Sequence, residues 1–152
     1  MSELKERLQA DLTGAIRARD EVTTATLRMA LAAVTTEEVA GTTARTLSDD
    51  EVLRVLAREA KKRREAAEAF DSADRPELAG RERAEGAVLE RYLPAQLDDA
   101  QVTELVRAAI EEAGATGMAQ MGAVMNAAQA RAAGRADGRR LSTEARRQLT
   151  KA

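Results

Sequence analysis

The side chains that could do chemistry in this sequence form a short set. Its 152 residues include no histidine and no cysteine, four serines, 24 lysines and arginines, and 26 aspartates and glutamates. Acid–base and nucleophilic catalysis near neutral pH generally rest on His, Cys, or a Ser or Lys activated by a neighbour. Of Ser2, Ser48, Ser72 and Ser142, two read as helix caps, and none has a base that sequence can place beside it. Zinc sites want Cys and His, and no calcium-loop spacing surrounds Asp49, Asp50 and Glu51. The pairs Glu37–Glu38 and Glu111–Glu112 read as ordinary solvated carboxylates, and the glycine-containing stretches fit no phosphate loop. No catalytic residue, metal or cofactor is expected, so the expected mode of action is binding.

Two groups of cations are candidates for that binding. The first spans Arg131, Gly134, Arg135, Gly138, Arg139 and Arg140 and continues into Arg146 and Arg147. Its two glycines permit left-handed turns, and Asp137 can bond a turn locally, so the arginines are expected on a defined loop. From residue 113 onward seven basic residues face two acids, net +5. Such a surface suits an anionic backbone. The only aromatic residues are Phe70 and Tyr92, which argues for phosphate contact without stacked bases. The second group is a ridge of Arg54, Arg58, Lys61 and Lys62 at spacings of four, seven and eight, fit for phosphates or an acidic protein but interspersed with Glu51, Glu59 and Glu65. Arg63 differs from these, because it projects into the stripe of Leu53, Leu56, Ala60, Ala67 and Phe70. A charge there must snorkel or meet a carboxylate, so a structural role pinning one helix to another is expected.

The elements that must hold these residues are helices. Charged residues make up 33% and aromatics 1%, so the apolar faces have to be built from Leu, Val, Ile, Met and Ala. Leu4, Leu8, Leu12 and Ile16 form one stripe, and Leu27, Leu31 and Val34 another in a helix running from near Asp20 to about Ala40. Ser48 with Glu51 is a capping box, with Leu47 positioned to staple onto Val52; this third helix reaches about Phe70. Asp74 with Glu77 reads as a second box, with Pro76 in the first turn, and Pro94 ends the fourth helix by Leu93. Asp98 with Gln101 opens a fifth helix that stops at Gly114. Thr116 is expected to cap a sixth, which closes at Gly134, and a short seventh follows Ser142 with Ala145 and Leu149 inward. The expected fold is all-α: a four-helix part over residues 1–93 and a three-helix part over 94–152, net −3 and +1. No stretch approaches the ~20 apolar residues that span a bilayer, and the acidic N-terminal residues do not look like a secretory signal. A cytoplasmic location without membrane association is expected.

The segments Leu27-Arg28-Met29, Lys61-Lys62-Arg63-Arg64-Glu65, Tyr92-Leu93-Pro94-Ala95-Gln96-Leu97, Met121-Gly122-Ala123-Val124-Met125 and Gly134-Arg135-Ala136-Asp137-Gly138 occur in that order. Together they resemble the YqeY family, whose helical architecture is shared with the C-terminal tail of the B subunit of the tRNA-dependent amidotransferase. The resemblance implies a helical N-terminal part followed by a three-helix part that helps hold tRNA, with glutamine hydrolysis and amide transfer residing in domains absent from this chain. Asn126 and Gln129 depart from the family pattern of Gly and Lys and remove one positive charge. The leading expectation is a non-catalytic tRNA-binding or amidotransferase-associated accessory protein. Its rival is a protein-interaction module using the Met118, Met121 and Met125 helix and the basic ridge, and a carbon–nitrogen ligase ranks last.

Overall fold

The computed structural model describes residues 1–151. All regular structure among them is helical, as the sequence implies: α1 (Glu3–Ala18), α2 (Glu21–Glu38), α3 (Asp49–Ser72), α4 (Pro76–Glu90), α5 (Asp99–Ala113), a single 3₁₀ turn (Met118–Gln120), α6 (Met121–Ala132) and α7 (Gly138–Lys151). Contacts divide the chain into two compact units, one ending at Leu93 and the other beginning at Pro94.

In the first unit Leu8, Leu27, Val34, Val52, Leu56 and Leu89 are fully buried in one core. The Ser48–Glu51 capping box forms in both directions, and Leu47 and Val52 are both buried beside it. Ile16, expected in the α1 stripe, instead points outward at 47% exposure, and Ala15 is buried in its place. A strict four-residue spacing drifts by about 40° per step, so by Ile16 the row has turned about 120° away from Leu4. Glu38 is not free in solvent: Lys5 Nζ lies 2.8 Å from its Oε1, with both side chains 15% exposed, which pins α1 to the end of α2.

The expected box at Asp74 does not form. Asp74 has φ 58°, its N–H donates to the Asp71 carbonyl at 3.1 Å, and the Arg75 N–H donates to the Phe70 carbonyl at 2.8 Å. These two bonds make a Schellman motif, so Asp74 ends α3 and cannot also cap α4. Arg75 takes the cap position without a side-chain bond, and Pro76 starts the helix. Along the α3–α4 pair the buried residues Ala67, Ala79 and Gly86 allow close approach. There Arg63 Nε lies 3.4 Å from Glu82 and its Nη1 3.5 Å from Glu85. The Nε contact to Glu82 is an ion pair by distance without hydrogen-bond alignment.

In the second unit Val106, Ala109, Val124, Ala128, Leu141 and Ala145 are fully buried in a core of small aliphatic side chains. Asp98 and Gln101 form their capping box, and Gly114 terminates α5 at φ 62°. Two expected starts shift. Thr116 does not cap α6, because the Gln120 side chain turns back to accept the Thr116 and Gly117 N–H groups at 3.2 and 3.1 Å. α7 begins at Gly138 rather than after Ser142, because Asp137 Oδ1 accepts the Arg140 N–H at 2.9 Å while its carbonyl accepts from Leu141 at 3.2 Å. Asp137 is thus the N-cap of α7.

The two candidate caps, Ser48 and Asp74, should separate on substitution. Ser48→Ala is expected to cost about 1 kcal/mol, whereas Asp74→Gly should be neutral or stabilising, because glycine favours the left-handed position that ends α3. Urea unfolding of both variants checks this; a loss at Asp74→Gly equal to that at Ser48→Ala would restore the capping role.

Candidate nucleic-acid interface

The arginine-rich segment, expected as one defined loop, is a helix end, a tight turn and a helix start. Arg131 lies in the last turn of α6, Ala133 and Gly134 adopt φ 49° and 79°, and Gly138, Arg139 and Arg140 open α7. Five residues reverse the chain, and two of its arginines are consumed in holding that reversal. The Leu97 N–H donates to the Arg135 carbonyl at 2.8 Å, and the Arg135 Nε donates to the Ala95 carbonyl at 3.0 Å. Arg140 donates from Nη1 to the Leu97 carbonyl at 2.7 Å and from Nη2 to Asp99 at 3.0 Å. The α6–α7 turn is therefore laced to the irregular segment before α5, with the guanidinium groups of Arg135 and Arg140 donating to backbone carbonyls there.

Two other arginines are engaged locally. Arg131 pairs with Glu112 of α5 at 3.0 Å. Arg147 grips Glu144 one turn earlier, with Nε–Oε1 at 2.7 Å and Nη2–Oε2 at 2.6 Å, while Gln148 donates to the same carboxylate at 2.8 Å. The Arg147 bonds, helped by Gln148, hold the Glu144 carboxyl down at about 2, against an ordinary 4.5.

Arg139 and Arg146 remain. Both are exposed, and none of the ion pairs among the described residues involves either. Seven residues apart on one helix, they share a face roughly 10 Å apart along the axis. Thr143 and Thr150 are exposed on the same stripe, centred about opposite the buried Leu141, Ala145 and Leu149. No acidic residue lies in it. Thr143 is the residue that sequence reasoning missed; starting α7 at Gly138, a start signalled by Asp137 as an N-cap residue, would have placed it between the two arginines. The structure thus brings Arg139, Arg146 and Arg147 to one solvent-facing side and assigns Arg135 and Arg140 to positioning.

The ridge on α3 is more heavily paired than its spacing suggests. Arg58 lies 3.3 Å from Glu37, Lys61 lies 3.9 Å from Glu65, and Lys62 lies 3.2 Å from the buried Glu59. Arg54 is exposed and enters none of these pairs. Met121 and Met125 pack against the second core, leaving Met118, at 43% exposure, as the outward member of the methionine set. No group of acidic side chains among the described residues is arranged to hold a metal ion, and no helix among them is long and apolar enough to cross a membrane.

A family model described as Yqey-like protein matches residues 5–149, nearly the whole chain and both units. The chain belongs to the YqeY-like family. Within this YqeY-like chain the matched span takes in the α6–α7 turn, the Arg135 and Arg140 ties and the exposed face of α7. A search of curated proteins finds no match.

Two measurements separate the roles of these residues. Arg140→Ala is expected to lower stability by about 2 kcal/mol, because a charge-assisted bond to a backbone carbonyl is lost, while Arg139→Ala should stay within about 0.5 kcal/mol of the parent; equal unfolding midpoints for the two variants would remove the distinction. The acid limb tests Glu144. Its folded value is depressed, so its contribution to stability is fully present above about pH 4.5 and is lost as pH falls toward 2. Urea midpoints measured over that window should fall less steeply for Glu144→Gln than for the parent.

Proposed function

We propose that this YqeY-like chain is a non-catalytic tRNA-binding protein, or an accessory of a tRNA amidotransferase, that lays the outer face of α7 against RNA phosphates. The observation that carries the reading is the acid-free stripe of Arg139, Thr143, Arg146 and Thr150. Guanidinium and hydroxyl donors are the groups that contact nucleic-acid backbones, and here they stand on a helix fixed from behind by Leu141, Ala145 and Leu149. Arg147 flanks the stripe but stays bonded to the Glu144 carboxylate, whose side chain is only 13% exposed, so it adds to the local field and is not a free donor. The segment from residue 113 onward, net +5, adds a favourable field.

Both aromatic residues, Phe70 and Tyr92, belong to the first unit. With no aromatic ring in the second unit for a base to stack on, binding through α7 would read the backbone and its shape rather than base identity. The resemblance to the amidotransferase B-subunit tail supports tRNA as the RNA. Arg135 and Arg140 enter this function by setting the start and direction of α7.

Binding of tRNA measured across a salt series is the test. Each phosphate contact contributes roughly 0.7–0.9 to the slope of log affinity against log salt, so Arg139→Ala/Arg146→Ala should flatten the slope by about 1.5 and weaken binding, with the fold intact by circular dichroism. Absence of binding, or an unchanged slope in the double variant, would contradict the reading.

A further inference from the structure

A second surface lies in the first unit, between the C-terminal half of α2 and the N-terminal half of α3. Two adjoining hollows of about 430 and 480 Å³ share Glu37, Val55 and Arg58 and so form one continuous groove. Its floor includes the apolar side chains of Ala33, Val55 and Ala57. Along one side Arg54, Arg58 and Lys62 stand one helical turn apart, in a row roughly 12 Å long. Lys62 is held over the buried Glu59 carboxylate, whose Oε2 has no aligned hydrogen bond, so moving that lysine would leave a charge buried and unpaired. Arg54 has no ion pair among the described residues, and Arg58 reaches Glu37 only at 3.3 Å with its side chain 61% exposed, an interaction that a better partner can replace at little cost.

We infer that this groove receives an acidic amphipathic segment of a partner protein, its carboxylates on Arg54 and Arg58 and its apolar side chains on the Ala33–Val55–Ala57 floor. Charge complementarity favours a peptide over RNA here. Glu37, Glu51 and Glu59 are interspersed with the cations of the same groove and repel a continuous polyanion laid along it. A peptide can set single carboxylates against the two available arginines and keep apolar residues elsewhere, and it gains from a floor that phosphate cannot use. The groove is built from α2, α3 and the preceding loop alone, so its occupancy does not depend on the reading of α7.

The test uses the isotope-labelled full chain and a synthetic helical peptide of about fifteen residues, with glutamates at four-residue spacing on one face and leucines on the other. Saturable shifts of the Glu37, Arg54 and Arg58 amides are expected, with at least tenfold weaker binding of the same peptide carrying glutamine for glutamate. Arg54→Gln/Arg58→Gln, which changes only exposed side chains, should weaken binding at least tenfold while the unfolding midpoint holds; Ala57→Glu, which adds a carboxylate to the groove lining, should also weaken it with both arginines present. Failure of the peptide to bind, equal binding of the glutamine version, or an RNA duplex that shifts these amides while the peptide does not would each overturn the inference. Loss of tRNA binding in Arg139→Ala/Arg146→Ala leaves the peptide result unaffected.

Discussion

The lacing of the α6–α7 turn onto residues 95–99 is the interaction on which the second unit depends. Its core is made of alanine, valine and leucine, with no aromatic residue to fill space, so little apolar surface is available to fix how α7 enters. Geometry comes instead from directed polar bonds: the Leu97 N–H to the Arg135 carbonyl, and the Arg135 and Arg140 guanidinium groups to the Ala95 and Leu97 carbonyls. Asp137 completes the device by capping the first turn. Once α7 starts at Gly138, every later position on it has a determined face. Arg139 and Arg146 point away from the core because Leu141, Ala145 and Leu149 point into it.

Arginine consequently does three different jobs in one chain. Arg63, 21% exposed, joins α3 to the carboxylates of α4 where small residues bring the helices close. Arg135 and Arg140 satisfy backbone carbonyls at the root of α7. Arg139, Arg146 and Arg54 are left to solvent. Only the last kind can meet an external anion without dismantling something internal, so net charge alone overstates the binding surface. Both units follow the same division, and on each the available cations are those left unpaired or, like Arg58, held only by an exposed carboxylate.

The helical fold was legible because its signals are local. Ser48 with Glu51, Asp98 with Gln101, and Gly114 act within one turn, and the structure realises each of them. Asp74 failed because one residue can end α3 or cap α4, and the backbone bonds from Asp74 and Arg75 back to Asp71 and Phe70 choose the first. Ile16 failed because a four-residue spacing departs from the helical repeat over three successive steps. At the candidate interface, composition identified the right segment but could not sort its arginines. Whether a guanidinium is spent on a carbonyl forty residues away, as Arg135 is on Ala95, depends on tertiary packing that no local pattern encodes. The shift of the α7 start by five residues hid the shared face of Arg139, Thr143 and Arg146, and here the missed signal was local, the Asp137 cap.

The division between positioning and solvent-facing arginines can be observed directly through the side-chain Nε–H resonances of the arginine-labelled full chain during titration with tRNA. Arg139 and Arg146 should shift saturably, while Arg135, held on Ala95 through Nε, and Arg140, held on Leu97 and Asp99, should keep their free-state positions, with slow solvent exchange at the Arg135 Nε–H. Shifts at Arg135 and Arg140 with Arg139 and Arg146 unchanged would contradict the account.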